Sequence, residues 1–150
     1  MSFLPFLVAV VATAFIGSRF LPGPWYQTLA KPSWTPPNWL FAPAWTLLYI
    51  AMTFAGWLVW RGRGGLSLPL ALWIGQLVLN AAWSWLFFGL HRPAAALADI
   101  VGLLVLILAF LVTAVPVSRG AALLFVPYGL WVTFAAALNA SIVRLNPNVT

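Results

Sequence analysis

The chain has 150 residues, 64% of them hydrophobic and only 5% charged, with a formal net charge of +6. An ordinary globular protein devotes about a quarter of its residues to charge, and a soluble domain cannot bury this much apolar surface. With one carboxylate side chain (Asp99), one histidine (His91) and no cysteine, the chain lacks the parts for paired-acid hydrolysis, multi-ligand metal sites, a Ser-His-Asp triad, disulfides or thiolate chemistry.

Apolar runs long enough for the roughly 20 helical residues that cross a bilayer can be drawn at Ser2–Phe20, Leu40–Arg61, Leu66–Leu90, Pro93–Val117 and Gly120–Arg144. Backbone satisfaction in lipid makes each a helix. The expectation is an all-α membrane protein, a single domain over residues 1–150 built as a bundle of five transmembrane helices. The first run has no basic segment before it, and its first cation, Arg19, follows the apolar stretch, so it reads as a retained span and not a cleaved signal. Residues 21–39 form a long connector with five prolines and three tryptophans. A short helix is expected within WYQTLA, followed by an extended Lys31–Pro32 pair. Such a segment serves as a lid over a site or as an interfacial aromatic belt, and composition supports both. The later connectors, Gly62–Gly65, His91–Arg92 and Ser118–Arg119, are tight, which predicts antiparallel neighbours.

The seven cations are single residues scattered along the chain. They form no basic stripe for nucleic acid, and anionic lipid headgroups are the expected counter-charge. Arg19, Lys31, Arg92 and Arg144 fall on the side of the long connector, Arg61, Arg63 and Arg119 on the other, so the positive-inside rule does not orient the bundle.

Trp57, Trp60 and Trp73 fall toward the far side, where an interfacial belt accounts for them. Trp45, Trp83, Trp85 and Trp131 lie deeper or toward the connector. Helical spacing puts Trp45 with Tyr49 on one face of the second span and Asn80 with Trp83, Ser84 and Phe87 on one face of the third. On the fifth, Trp131, Ala135, Leu138 and Asn139 share a face, beside a kink expected at Pro127 and Gly129. These faces either line a cavity for a planar, mainly apolar ligand or pack tightly, with Asn80 and Asn139 as interhelical hydrogen-bond glue. Asp99 sits about two turns into the fourth span, where a carboxylate needs a partner. Arg144, Arg92 and His91 are the candidates, and a structural pair fits better than a relay, which needs a chain of ionisable groups. His91 reads as a solvated turn residue. Ala71 with Gly75, and Ala98 with Gly102, have the small-xxx-small spacing of close helix contacts, within or between chains.

The runs KPSWTPPNWLFAPAWTLLY, QLVLNAAWSWLFFG and LFVPYGLWVTFAAALN, in this order on the second, third and fifth spans, resemble the tryptophan-rich sensory protein and translocator protein family over essentially the whole chain. The resemblance implies five spans, a homodimer, and binding of porphyrins and haem-type tetrapyrroles, with cholesterol and synthetic ligands in eukaryotic members. It places Trp45, Tyr49, Asn80, Trp83, Phe87, Trp131, Ala135 and Leu138 at pocket positions and Trp34 and Trp39 in the lid. Asp99, Asn139 and Arg144 become structural polar residues, and Ala71 and Gly75 the dimer contact. Trp45 and Trp131 match tryptophans linked to light-dependent porphyrin breakdown in bacterial relatives. The segment LNASIVR lacks the tyrosine of the family's sterol-associated pattern, which favours a bacterial-type tetrapyrrole role over cholesterol. The functional expectation is a receptor or transporter-like protein with a sensory or regulatory role. Its partners are a porphyrin or other planar apolar molecule, membrane lipid and a second copy, with no cofactor and no metal required. A photo-oxidative porphyrin-degrading enzyme and a sterol- or lipid-binding scaffold are the alternatives.

Overall fold

A computed structural model describes residues 2–149, which form helices joined by turns and extended connectors. Local chemistry sets the boundaries. Helix α1, Leu4–Ser18, starts with Pro5 in its first turn, where the missing N–H costs nothing. A five-residue helix, α2, covers Pro24–Thr28, and a 3₁₀ turn at Asn38–Leu40 leads into α3, Phe41–Arg63. Helix α3 stops at Gly64, whose φ of 71° lets its N–H bond the Trp60 carbonyl at 2.7 Å in a left-handed cap. Ser67 accepts from the Leu70 N–H to start α4, Leu68–Ser84, and Pro93 opens α5, Pro93–Ala114. Ser118 caps the Ala121 N–H at the head of α6, Arg119–Leu145.

Three features differ from the sequence expectation. Helix α1 is 15 residues long, because Arg19 and Phe20 turn their N–H groups back onto Ile16 and Gly17 and Pro22 and Gly23 end the run. Helix α4 does not continue regularly to Leu90: Trp85–Gly89 is a π turn, in which the Leu90 N–H bonds the Trp85 carbonyl at 2.8 Å. The helices also close a ring in the order α1, α3, α6, α5, α4, so α3 borders α6 and α1 more closely than α4, its neighbour in the chain.

Inside the ring, Ile100, Leu103, Ile107, Phe110 and Ala114 of α5 meet Phe125, Tyr128, Val132 and Ala135 of α6, with the Phe110 and Phe125 rings 4.0 Å apart. Outside it, Leu47, Val78, Val112, Leu123 and Leu130 are exposed, the apolar exterior a bilayer requires. Helices α3 to α6 are long and apolar enough to cross it, and the chain is an integral, multi-pass membrane protein. Close seams rest on glycine. A Cβ on Gly75 stands 3.3 Å from Leu106, and one on Gly102 stands 3.6 Å from Leu79. Gly75, expected at a contact between copies, is therefore engaged by α5 of its own chain, because the absent side chain is what admits Leu106. Ala71, in contrast, is exposed.

Gly56 is the tightest of these positions. A Cβ there stands 2.5 Å from the Trp73 indole, whose Nε1–H donates to the Met52 carbonyl at 2.9 Å and so cannot swing away cheaply. Gly56→Ala is expected to lower stability by about 1–3 kcal/mol through overpacking, read as a drop in detergent Tm, while Gly102→Ala leaves it nearly unchanged.

Candidate functional site

The half of the bundle nearest the connector contains a cavity of about 500 Å³, within the roughly 300–1,000 Å³ of small-molecule sites. Every helix supplies part of its wall. Of the residues singled out in the sequence, Trp45, Tyr49, Asn80, Trp83, Phe87, Trp131, Ala135, Leu138 and Asn139 all line it. Their periodic faces converge because α3, α4 and α6 present them inward at one depth.

A chain of hydrogen bonds holds these faces apart at a fixed distance. The Tyr49 hydroxyl donates to Asn80 Oδ1 at 3.1 Å, Asn80 Nδ2 donates to the Tyr128 hydroxyl at 2.8 Å, and that hydroxyl donates to Gln76 Oε1 at 2.7 Å. A second set joins Trp83 Nε1 to Asn139 Oδ1 at 3.0 Å and Asn139 Nδ2 to the Pro93 carbonyl at 2.9 Å. Thr46 returns its hydroxyl to the Ala42 carbonyl. Both asparagines are thus committed inside the bundle. Among the described residues, the buried side-chain atoms with no partner are Gln76 Nε2, Asp99 Oδ2 and Trp131 Nε1, and of these residues only Trp131 lines the cavity.

The aromatic wall is layered. Trp45 lies against Tyr49 at 5.6 Å and edge-on to Trp131 at 6.3 Å, and Trp131 meets Phe41 and Phe134. The π turn carries Phe87 under Trp83, with ring centroids 5.2 Å apart and planes at 27°. The extra residue in that turn rotates the side chains that follow it, a common use of π bulges at functional sites.

Trp34 and Trp39 are not in the wall. The extended Pro37 carries Trp39 to the outer surface, where it is 71% exposed, and Trp34 packs edge-on against Phe134. Nor does Asp99 form an ion pair with Arg144, Arg92 or His91 among the described residues. It lies on the α4 side of α5, on the stripe of Gly102 and Leu106, while Arg92 and Arg144 are exposed at the helix ends and His91 is engaged elsewhere. Sequence reasoning missed the contribution of α1. Gly17 brings that helix within 3.7 Å of both Tyr49 Oη and Ser84 Oγ, measured from its Cβ position, and Ala14, Gly17 and Ser18 join the wall. The clustered small residues near the end of the first span were the available signal. Gln76, four residues before Asn80, was a second one.

The connector closes over the cavity through α2. Tyr26 and Leu29 are buried against Phe87, Phe88 and Leu138, and burial pushes the Tyr26 phenol above its ordinary range. The Lys31 ammonium sits 4.6 Å from the Tyr26 ring centre and donates to the Tyr26 and Leu29 carbonyls. Trp25 stacks on His91 at 4.3 Å with planes 7° apart; His91 holds a left-handed φ of 55° that ends the α4 run. Asn146, just past α6, grips the Ala30 backbone twice: its Oδ1 accepts from the Ala30 N–H at 3.0 Å and its Nδ2 donates to the Ala30 carbonyl at 2.8 Å.

Comparison with known proteins places this geometry. Residues 3–145 match the model of the TspO/MBR family. The chain is 44% identical to the tryptophan-rich protein TspO of Chlorobaculum tepidum, over 91% of this chain and 90% of that one. It is 43% identical to protein CrtK of Rhodobacter capsulatus, over 97% and 92%, and 40% identical to the human translocator protein, over 94% and 88%.

Asn146→Ala removes both bonds to Ala30 without touching the cavity wall. It is expected to speed amide hydrogen exchange in residues 24–31 by about tenfold, the worth of one to two ordinary hydrogen bonds, with exchange in α3 unchanged.

Proposed function

We propose, from the premise that this chain belongs to the TspO/MBR family, that it is a five-span protein that binds a porphyrin or related tetrapyrrole in the aromatic cavity and acts as a receptor or transporter in tetrapyrrole handling. Helix α1 is the fifth span. Its 15 residues cover about 22 Å, short of a hydrocarbon core of about 30 Å, and the flanking residues and local bilayer thinning make up the difference. The connector, residues 21–39, is the lid, fastened by Tyr26, Leu29 and the bonds of Asn146 to Ala30. A second copy on the outer face of α4 meets Ala71, Ile74 and Val78, all exposed.

One observation carries the reading: a wall of stacked indole and phenyl rings in which the buried Asn80 and Asn139 are held by protein partners and the Trp131 N–H is left without an acceptor. Such a surface suits a large flat macrocycle, and the buried indole N–H gains a partner when the ligand brings an acceptor, a ring nitrogen or a carboxylate. Asn80, on the cavity face of α4, is engaged by Tyr49 and Tyr128. Lys31 is held by two carbonyls, which leaves Arg19, Arg92 and Arg144, all exposed on the connector side, for peripheral carboxylates. No bound cofactor is needed.

The edge-on contact of Trp45 and Trp131 at 6.3 Å favours one further reading, photo-oxidative degradation of the bound porphyrin in which dissolved dioxygen is the oxidant that takes up the electrons and these two indoles serve as radical carriers. Bleaching of the porphyrin band under light by wild type, but not by Trp45→Phe, supports it; equal bleaching in buffer ends it.

Protoporphyrin added to the detergent-solubilised protein is expected to quench tryptophan fluorescence saturably. Trp131→Phe keeps the ring but deletes the donor and is expected to weaken binding by about tenfold, while Trp60→Phe, at the far side, has no effect. Absence of saturable quenching overturns the porphyrin reading, and unchanged affinity in Trp131→Phe overturns the role given to its N–H.

A further inference from the structure

At the end of the bundle opposite the cavity, the outer seam between α5 and α6 holds a groove of about 420 Å³. Leu111 of α5 and Val115, just past its end, form one wall, and Leu123 and Val126 of α6 form the other. Ala122 is its floor: a single methyl among bulky neighbours leaves the gap that a larger side chain fills. Arg119, the first residue of α6, stands at the upper end. From Arg119 to Val126 the helix descends about 10 Å, from headgroup level into hydrocarbon.

The charge at the top has no counterpart in the protein. Arg119 is exposed and forms no ion pair among the described residues. The sole acidic side chain, Asp99, lies near the other end of α5. The turn before α6 packs on α3, with a Cβ on Gly62 only 2.8 Å from the Val117 carbonyl oxygen, so Arg61 and Arg63 stand at the same end of the bundle. Arg61 lies over the Trp57 ring at 4.8 Å. Arg63 and Arg119, both exposed, remain to hold an anion. A zwitterionic headgroup finds no carboxylate here for its ammonium.

We propose that this groove is a binding site for an anionic phospholipid, with one acyl chain laid between Leu111, Val115, Leu123 and Val126 and the phosphate held by Arg119, Arg63 adding positive charge at the same end of the bundle. The two parts of the groove match the two parts of one molecule, which neither a free anion nor a neutral hydrocarbon does. The site is separate from the cavity and independent of what the cavity binds.

The test is native mass spectrometry of the full chain, extracted in mild detergent and supplied with equal phosphatidylglycerol and phosphatidylcholine. Wild type is expected to retain phosphatidylglycerol preferentially. Arg119→Gln lowers that retention about fivefold, the worth of one cation at a membrane surface. Val126→Trp, at a wall position 43% exposed to lipid, fills the groove and lowers retention with every cation in place. Arg92→Gln, at the opposite end, changes nothing. Equal retention of the two lipids by wild type overturns the proposal. So does retention that survives both Arg119→Gln and Val126→Trp, or a loss in Arg92→Gln as large as in Arg119→Gln.

Discussion

In the hydrocarbon core a polar group has only other protein groups to bond, and this requirement shapes the whole bundle. The chain from Tyr49 through Asn80 and Tyr128 to Gln76 joins α3, α4 and α6, and the link from Trp83 through Asn139 to the Pro93 carbonyl joins α4, α6 and α5. Each bond is worth little, about 0.6 kcal/mol on average in membranes. Their value is positional, because a helix shifted by one residue breaks several at once. The faces they hold apart are the cavity walls. The same bonds that build the cavity engage its two buried asparagines, so its interior is largely aromatic, with the Trp131 indole N–H as its unpartnered buried side-chain atom among the described residues.

The two ends of the bundle differ in kind. On the connector side the wall thins into a segment held by a few contacts: the buried Tyr26 and Leu29, the stack of Trp25 on His91, and the pair of hydrogen bonds between Asn146 and the Ala30 backbone. On the far side, Trp73 is clamped between Gly56 and the Met52 carbonyl, and Phe110 and Phe125 fill the space between α5 and α6. A ligand crossing the full bilayer through the ring must break the polar chain and displace these rings. A ligand entering and leaving on the connector side needs neither. The architecture therefore suits binding from one side better than conduction, and it leaves the far rim of arginines facing lipid.

Much of the site was legible in the sequence because α-helical period alone assigns residues to faces. Trp45 with Tyr49, Asn80 with Trp83, and Trp131 with Ala135 and Leu138 share faces by spacing, and all of them line the cavity. Period does not say how a face is used. Asn80 fits a cavity wall or interhelical glue by spacing, and the structure has it bonded to Tyr49 and Tyr128; Gly75 fits a contact within or between chains, and its Cβ position lies 3.3 Å from Leu106 of the same chain. Asp99 was read as half of an ion pair, but its position on the α4 side of α5 keeps it from cations confined to the helix ends. The π turn at Trp85–Gly89 lies beyond what period reveals, since it is a change of period, and it sets where Phe87 points. The extended Pro37 carries Trp39 to the outer surface and Trp34 packs on Phe134 outside the wall, a matter of backbone direction that composition does not record.

The most direct test of the account reads the hydrogen-bond state of one proton, the Trp131 indole N–H, by ¹⁵N–¹H spectra of selectively labelled protein assigned with Trp131→Phe. Without ligand, the resonance is expected at the upfield position of an indole lacking an acceptor, and protoporphyrin moves it downfield as a bond forms. An indole already bonded without ligand, or one that protoporphyrin leaves unmoved while other cavity signals shift, contradicts the account.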